Sequence, residues 1–300
     1  MRLVSVAIAA MMAALCVPSA GHTQSGEIRF GLTAVVVREN LRFFDRWAGY
    51  LGRRIGHPVR FVQRKSYAEI SDLLATNEVQ LAWICGYPFV RTRDPEYLEL
   101  MAVPLFRGSP LYRSYIITHR DSFVRALDDL AERVFAYSDP DSNSGYLVPR
   151  SILARRGFDP DSFFRLTFFT YSHAETVEAV ANRVADAGAV ESYVWDFLAM
   201  TRPELTARTR ILFKSEQFGF PPVVVRSDLD PVLRDRIRDA LLGMADDAEG
   251  RALLEEFALD GFTTATINLY DSIRDLAQRY GEPGAVRATP SGFVPARVAQ

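Results

Sequence analysis

The run Ser138-Asp139-Pro140-Asp141-Ser142-Asn143-Ser144-Gly145-Tyr146 concentrates residue types that can hold a small anion. It falls between a strand-like segment ending at Tyr137 and a helical one beginning near Ser144. The hydroxyls of Ser142 and Ser144 and the amide of Asn143 can donate hydrogen bonds, and Gly145 lets a ligand come close to the backbone. A helix start adds free N–H groups and the positive end of the helix dipole. A tetrahedral oxyanion can therefore be held there without lysine or arginine. The same residue types also cap helices with no ligand present, and the segment alone leaves both uses open.

Other candidates stand at the ends of neighbouring strand-like segments. His173, in Tyr171-Ser172-His173, could donate to an oxyanion, or be an ordinary locally bonded histidine. Glu191 closes the segment Ala187 to Glu191 (AGAVE), with Tyr193 just beyond. It could accept from a ligand amine or from a protonated ligand oxygen, or be a solvated carboxylate. Thr33, Tyr67 and Cys85 follow three earlier strand-like segments and could face the same cleft. A tyrosine is as readily packing as recognition, and a lone cysteine is often a small buried hydrophobe.

Enzyme signatures are absent from the sequence: there is no GxSxG, HExxH, CxxC or Walker A pattern. His22, His57, His119 and His173 are too scattered to give metal-ligand spacing. No catalytic residue, metal or cofactor is expected.

These residues need elements to position them, and the apolar pattern supplies an alternation of strands and helices. Glu27 to Leu32, Val59 to Gln63 and Leu81 to Ile84 read as strands. Arg38 to Ile55 places Leu41, Phe44, Trp47, Ala48, Leu51 and Ile55 at helical spacing. Glu99 to Leu105 and Tyr112 to Thr118 are further strands, Ser122 to Ala131 a helix, and Ser144 to Arg155 another. Such winding builds a mostly parallel sheet covered on both faces. Two α/β sets suggest two lobes, 22–115 with 223–300 and 116–222, with the ligand outside the carboxyl ends of the strands and between the lobes.

The first 21 residues stand apart. Arg2 precedes an uncharged, mostly apolar run, Leu3 to Val17, and then Pro18, Ser19, Ala20 and Gly21. This describes a secretory signal peptide, 1–21, too short to span a bilayer as a helix. Export to the periplasm would remove Cys16 and leave Cys85 as the mature chain's one thiol. Over 300 residues the formal net charge is -2, which excludes the broad basic character of a nucleic-acid binder. Of the 35 basic residues all but Lys65 and Lys214 are arginine.

The segment from Ser138 to Pro149, with its SNSGYLVP core, resembles the Ser-rich segment of the phosphate, phosphite and phosphonate ABC-transporter binding proteins. His173, Val180-Ala181-Asn182, Asp186 and the Ala187 to Glu191 strand follow in that family's order. Leu81-Ala82-Trp83-Ile84-Cys85-Gly86-Tyr87-Pro88 is similar to its Ala-Trp turn, and Tyr67 falls in its second-strand tyrosine loop. The resemblance implies a type II periplasmic binding protein: two α/β lobes, a two-strand hinge and closure on ligand. It implies that Ser142, Asn143, Ser144 and His173 hold the oxyanion and that Tyr67 closes over it. The partner would be an ABC-transporter permease. Some relatives sense arsenite for a histidine kinase, and a cleft thiol at Cys85 would suit so soft a ligand; this is the alternative. Glu191 matches only approximately the acidic residues that grip an aminoalkyl group.

Overall fold

The computed structural model describes residues 26–33, 41–92 and 97–281. The expected signal peptide, 1–21, lies outside the described residues. Along the chain the first elements are β1 (Ile28–Leu32), α1 (Leu41–Ile55), β2 (Val59–Gln63), α2 (Tyr67–Ala75), β3 (Leu81–Trp83), α3 (Gly86–Arg91) and β4 (Leu98–Leu105). There follow β5 (Leu111–His119), β6 (Val134–Tyr137), α4 (Val148–Arg155), β7 (Leu166–Phe169), α5 (His173–Ala181), β8 (Ala187–Glu191), α6 (Ser192–Thr201) and α7 (Pro203–Thr206). The last are β9 (Thr209–Gly219), β10 (Val223–Arg226), α8 (Pro231–Leu242), α9 (Ala248–Glu256), β11 (Gly261–Thr263) and α10 (Asp271–Tyr280).

Two sheets result, as the expected α/β winding in two sets requires. Six strands run in the order β11-β4-β10-β3-β1-β2, and five in the order β7-β6-β8-β5-β9. The chain leaves the first sheet between β4 and β5 and returns between β9 and β10 through Phe220-Pro221-Pro222. β3 (LAW) is buried at all its positions because it lies inside the sheet, between β1 and β10. Against this sheet α1 buries Phe43, Phe44, Trp47, Leu51 and Ile55, and Trp47 packs its ring among Phe30, Phe61 and Phe257. A capping box fixes the start of α2: Ser66 Oγ accepts from Glu69 N while the Glu69 carboxylate accepts from Ser66 N.

Two expectations need correction. Parallel pairing holds for β1 with β2 and β3, and for β6 with β7 and β8. β10 pairs antiparallel with β3 and β4, β11 with β4, and β5 with both β8 and β9. The strands next to the crossings enter their sheets against the winding, and apolar runs carry no mark of direction. The helix expected over Ser122 to Ala131 is a single 3-10 turn at Leu127–Leu130. Asp129 Oδ2 accepts from the N–H groups of Arg125 and Ala126, local bonding that competes with a helix.

The helix expected from Ser144 begins as one wide π-helical turn, Asn143–Leu147, and continues as α4. This turn sits at the carboxyl end of β6, where the candidate residues converge.

Candidate ligand-binding site

Ser142 caps the π-helical turn, its hydroxyl accepting from Gly145 N at 2.9 Å. Gly145 is required by close approach: a Cβ there would lie 2.4 Å from Ser138 Oγ and 2.5 Å from Ser138 Cβ. The turn is pinned from β5, where Ser114 Oγ donates to Ser144 O at 2.6 Å and Tyr112 OH accepts from Asn143 Nδ2 at 2.9 Å. Capping and ligand-holding are thus divided among neighbours. Ser142 is spent on the cap, whereas Asn143 Oδ1 is buried without a hydrogen-bond partner among the described residues and Ser144 Oγ is buried beside the Tyr112 hydroxyl.

His173 opens α5 at the carboxyl end of β7, behind an N-cap in which Ser172 Oγ accepts from Glu175 N. Its Nδ1 accepts from Glu191 N at 3.1 Å and lies 2.8 Å from Ser138 Oγ. An acceptor at Nδ1 puts the ring hydrogen on Nε2, an assignment made from the hydrogen-bond network. Nε2 lies 3.2 Å from Tyr67 OH and 3.8 Å from Glu191 Oε2. Burial holds the imidazole neutral, pushing its pKa down to about 3. Burial likewise pushes the Glu191 carboxyl up to about 8, so it is protonated at neutral pH. The contact is accordingly between two neutral groups rather than an ion pair. A second proton on His173 would face the Glu191 N–H, so proton transfer from the carboxyl is disfavoured. Both Glu191 oxygens are buried with no hydrogen-bond partner among the described residues.

The first sheet contributes Tyr67 and Cys85. Tyr67 N donates to Asp139 Oδ2 at 3.1 Å, which brings the start of α2 against the Ser-rich turn and its hydroxyl to His173. Cys85 Sγ, just before α3, accepts from Asn143 N at 3.3 Å. Burial pushes its thiol up to about 12, so it stays protonated. Arg91 on α3 adds an ion pair to Asp141 at 3.1 Å, both side chains mostly buried.

Seven of the eight expected residues therefore meet: Tyr67, Cys85, Ser142, Asn143, Ser144, His173 and Glu191. Thr33 is buried at the end of β1, but its hydroxyl donates to Trp83 O at 3.1 Å. That bond ties β1 to β3, and no bond links Thr33 to the other seven among the described residues. Tyr112, Ser138 and Asp139 belong with the cluster and were not singled out. Ser138 and Asp139 lie in the Ser-rich run without a donor role of their own in its pattern; Tyr112 carries no local signal, since its partner is 31 positions away. Among the described residues no group of three or more His, Cys, Asp or Glu could hold a metal, and no helix is long and apolar enough to cross a membrane.

Residues 30–270 match the family described as ABC transporter, phosphonate, periplasmic substrate-binding protein. The phosphonates-binding periplasmic protein of Escherichia coli (strain K12) is 26% identical over 275 residues, covering 89% of this chain and 80% of that protein. A binding protein component of an ABC phosphonate transporter from Pseudomonas aeruginosa superposes with a TM-score of 0.78 at 25% identity, covering 84% of this chain and 85% of that one. A Prochlorococcus marinus (MIT 9301) protein solved in complex with methylphosphonate has the same fold, with a TM-score of 0.75 at 18% identity and coverage of 84% and 97%. With the family's match extending over most of the sequence, this chain belongs to the periplasmic substrate-binding proteins of phosphonate-type ABC transporters, a family of binding proteins rather than enzymes.

Proposed function

We propose that the protein captures a small tetrahedral phosphorus oxyanion (phosphonate, phosphite or phosphate) in the periplasm and delivers it to an ABC-transporter permease. The observation that carries this is a buried cluster of neutral donors, Ser144, His173, Tyr67 and Tyr112, in which Ser144 Oγ lies beside the Tyr112 hydroxyl and meets no acceptor carbonyl or carboxylate among the described residues. Hydrogen bonds to a charged oxygen are roughly twice as strong as neutral ones, so such a set can offset an anion's desolvation without an arginine. Arg91, at the edge of the cluster, is engaged by Asp141.

Capture couples to closure. Tyr67 and Cys85 reach His173 and Asn143 from the other sheet, so a ligand contacting both sides favours the closed arrangement over an open one. The lobes in this reading are 22–115 with 223–300 and 116–222, the signal peptide 1–21 directs export, and the permease recognises the closed pair. Nothing in the geometry favours arsenite sensing for a histidine kinase: the Cys85 thiol is held protonated, the opposite of what a soft-metal ligand needs.

Titration calorimetry on the mature chain with phosphite, methylphosphonate, phosphate and arsenite tests the proposal. At least one phosphorus oxyanion binds, and Ser144→Ala weakens it by about 10- to 100-fold, the cost of one hydrogen bond to a charged group. Arsenite binding without any phosphorus ligand overturns it, as does turnover of a bound ligand.

A further inference from the structure

Glu191 is an acidic group in the cluster that oxyanion capture alone does not require. It ends β8 and precedes α6, yet its side chain makes no cap bond to that helix. It is fully buried, and neither oxygen has a hydrogen-bond partner among the described residues. The titratable groups facing it come from four other elements: His173 on α5, Tyr67 on α2, Cys85 before α3 and Tyr112 on β5. None of these is a cation at neutral pH. A buried carboxylate with no cation beside it is strongly disfavoured, so Glu191 is a carboxylic acid, with one O–H donor and one carbonyl acceptor.

We propose that Glu191 is a specificity-determining residue that selects oxyanions bearing a hydrogen on oxygen over fully ionised isosteres of the same shape. The proposal rests on the oxyanion reading of the site and deepens it. The Glu191 O–H can donate to any ligand oxygen, so it does not discriminate. Its carbonyl does, because it needs a donor, and the ligand must bring it. A phosphonate or phosphate still carries one P–OH for much of its population near neutral pH, the second pKa of a phosphate monoester being about 6. The P–OH donates to the Glu191 carbonyl while the Glu191 O–H donates to a second ligand oxygen. A sulfonate has three acceptor oxygens and no hydrogen, so it leaves the buried carbonyl unpaired. Sites built to bond a ligand O–H reject analogues lacking it for this reason, and one unpaired buried acceptor corresponds to a preference of roughly 10- to 100-fold.

Methylphosphonate and methanesulfonate share shape and differ in that hydrogen, and phosphate and sulfate form a second such pair. Titration calorimetry of the mature chain at pH 6.5 compares the two members of each pair. The expected result is at least tenfold tighter binding of the phosphorus member. Glu191→Gln, whose amide keeps one donor and one acceptor, retains the preference. Glu191→Leu, which removes both, brings the two affinities to within about threefold of each other, with thermal unfolding confirming a folded chain. Should Glu191→Leu not fold, the wild type and Glu191→Gln suffice. Equal binding of methanesulfonate and methylphosphonate by the wild type overturns the assignment while leaving oxyanion capture intact. Loss of the preference in folded Glu191→Gln, or its survival in folded Glu191→Leu, also overturns it. Failure of every phosphorus oxyanion to bind removes the reading of the site itself, and this assignment with it.

Discussion

The two sheets contribute to the cluster in different ways. On the second sheet, the ends of β6, β7 and β8 hold Ser142, Asn143, Ser144, His173 and Glu191, and bonds within that sheet's own elements fix most of them. Ser138 and Glu191 N orient His173, Ser114 anchors Ser144, and Ser142 closes its own turn. On the first sheet, Tyr67 reaches across through its hydroxyl to His173 and its N–H to Asp139, Cys85 through one contact to Asn143 N, and Thr33 bonds back to Trp83. One sheet builds most of the cluster and the other completes it. Donors already held in place cost less to order when a ligand arrives, so affinity should depend chiefly on the second sheet.

The sharpest way to break that asymmetry is Gly145→Ala. Its Cβ would overlap Ser138, and relieving the clash shifts the residue that orients His173 and the turn that carries Ser144. Overpacking of this kind costs about 1–3 kcal/mol in stability. Binding is expected to fall by more than about 100-fold, since several donors move together. Calorimetry beside a thermal melt checks this: near-normal affinity would show that the turn is not preorganised.

The pH dependence of stability is the next largest effect, and its two most strongly shifted groups in the range sit on the second sheet. His173, lowered to about 3, stays neutral in the folded chain while an unfolded histidine takes up a proton. Its contribution is therefore lost as pH falls from about 6.5 towards 3. Glu191, raised to about 8, keeps a proton that an unfolded glutamate has released. Its contribution is lost as pH rises from about 4.5 towards 8. Between about 4.5 and 6.5 the two slopes oppose and largely cancel, and above about 6.5 the carboxyl dominates. Stability of the ligand-free chain should decline by roughly 0.8 kcal/mol per pH unit between about 6.5 and 8, less than the roughly 1.4 of a full proton because both groups are partly titrated at the ends of that window. Denaturant titrations at stepped pH measure this slope, and Glu191→Gln should flatten it.

Much of this was legible in the sequence because strand ends and helix starts concentrate polar residues that the alternating apolar pattern does not need. Ser142, Asn143, Ser144, His173 and Glu191 each stand at such an end, so residue type and position together marked residues that the fold brings into one cluster. Pattern did not reveal pairing across the fold. Tyr112 meets Asn143 because β5 joins the second sheet antiparallel beside β8, and nothing near residue 112 encodes that direction. Thr33 is the reverse case. Its position at a strand end suggested recognition, but the hydroxyl is used by the adjacent β3 carbonyl. The segment 122–131 misled because its apolar residues have helical spacing while Asp129 binds the backbone ahead of it.

A smaller effect is expected on the first-sheet side. Tyr67→Phe keeps the ring packing and removes only the hydroxyl that meets His173 Nε2 at 3.2 Å. One net hydrogen bond is worth about 1 kcal/mol, so affinity should weaken about fivefold, through faster ligand release because the missing contact bridges the two sides. Stopped-flow displacement separates the rates. A loss as large as that of Ser144→Ala would mean that the first sheet shares equally in building the site.

Cys85→Ser should matter least. The thiol is fully buried, protonated, and used as an acceptor for Asn143 N at 3.3 Å. A serine hydroxyl offers a better acceptor in nearly the same place, offset by a shorter bond to carbon and a slightly smaller volume, and neither change reaches the donors on the second sheet. Affinity for a phosphorus oxyanion is expected to change by less than about threefold, the scale of a small packing adjustment. The substitution is informative because it separates two uses of one residue. If Cys85 only locates Asn143, serine replaces it; if its sulfur contacts the ligand, the softer atom cannot be replaced by oxygen and binding collapses. A collapse in calorimetry, with an unchanged melting temperature, would move part of the recognition chemistry from the second sheet to the first.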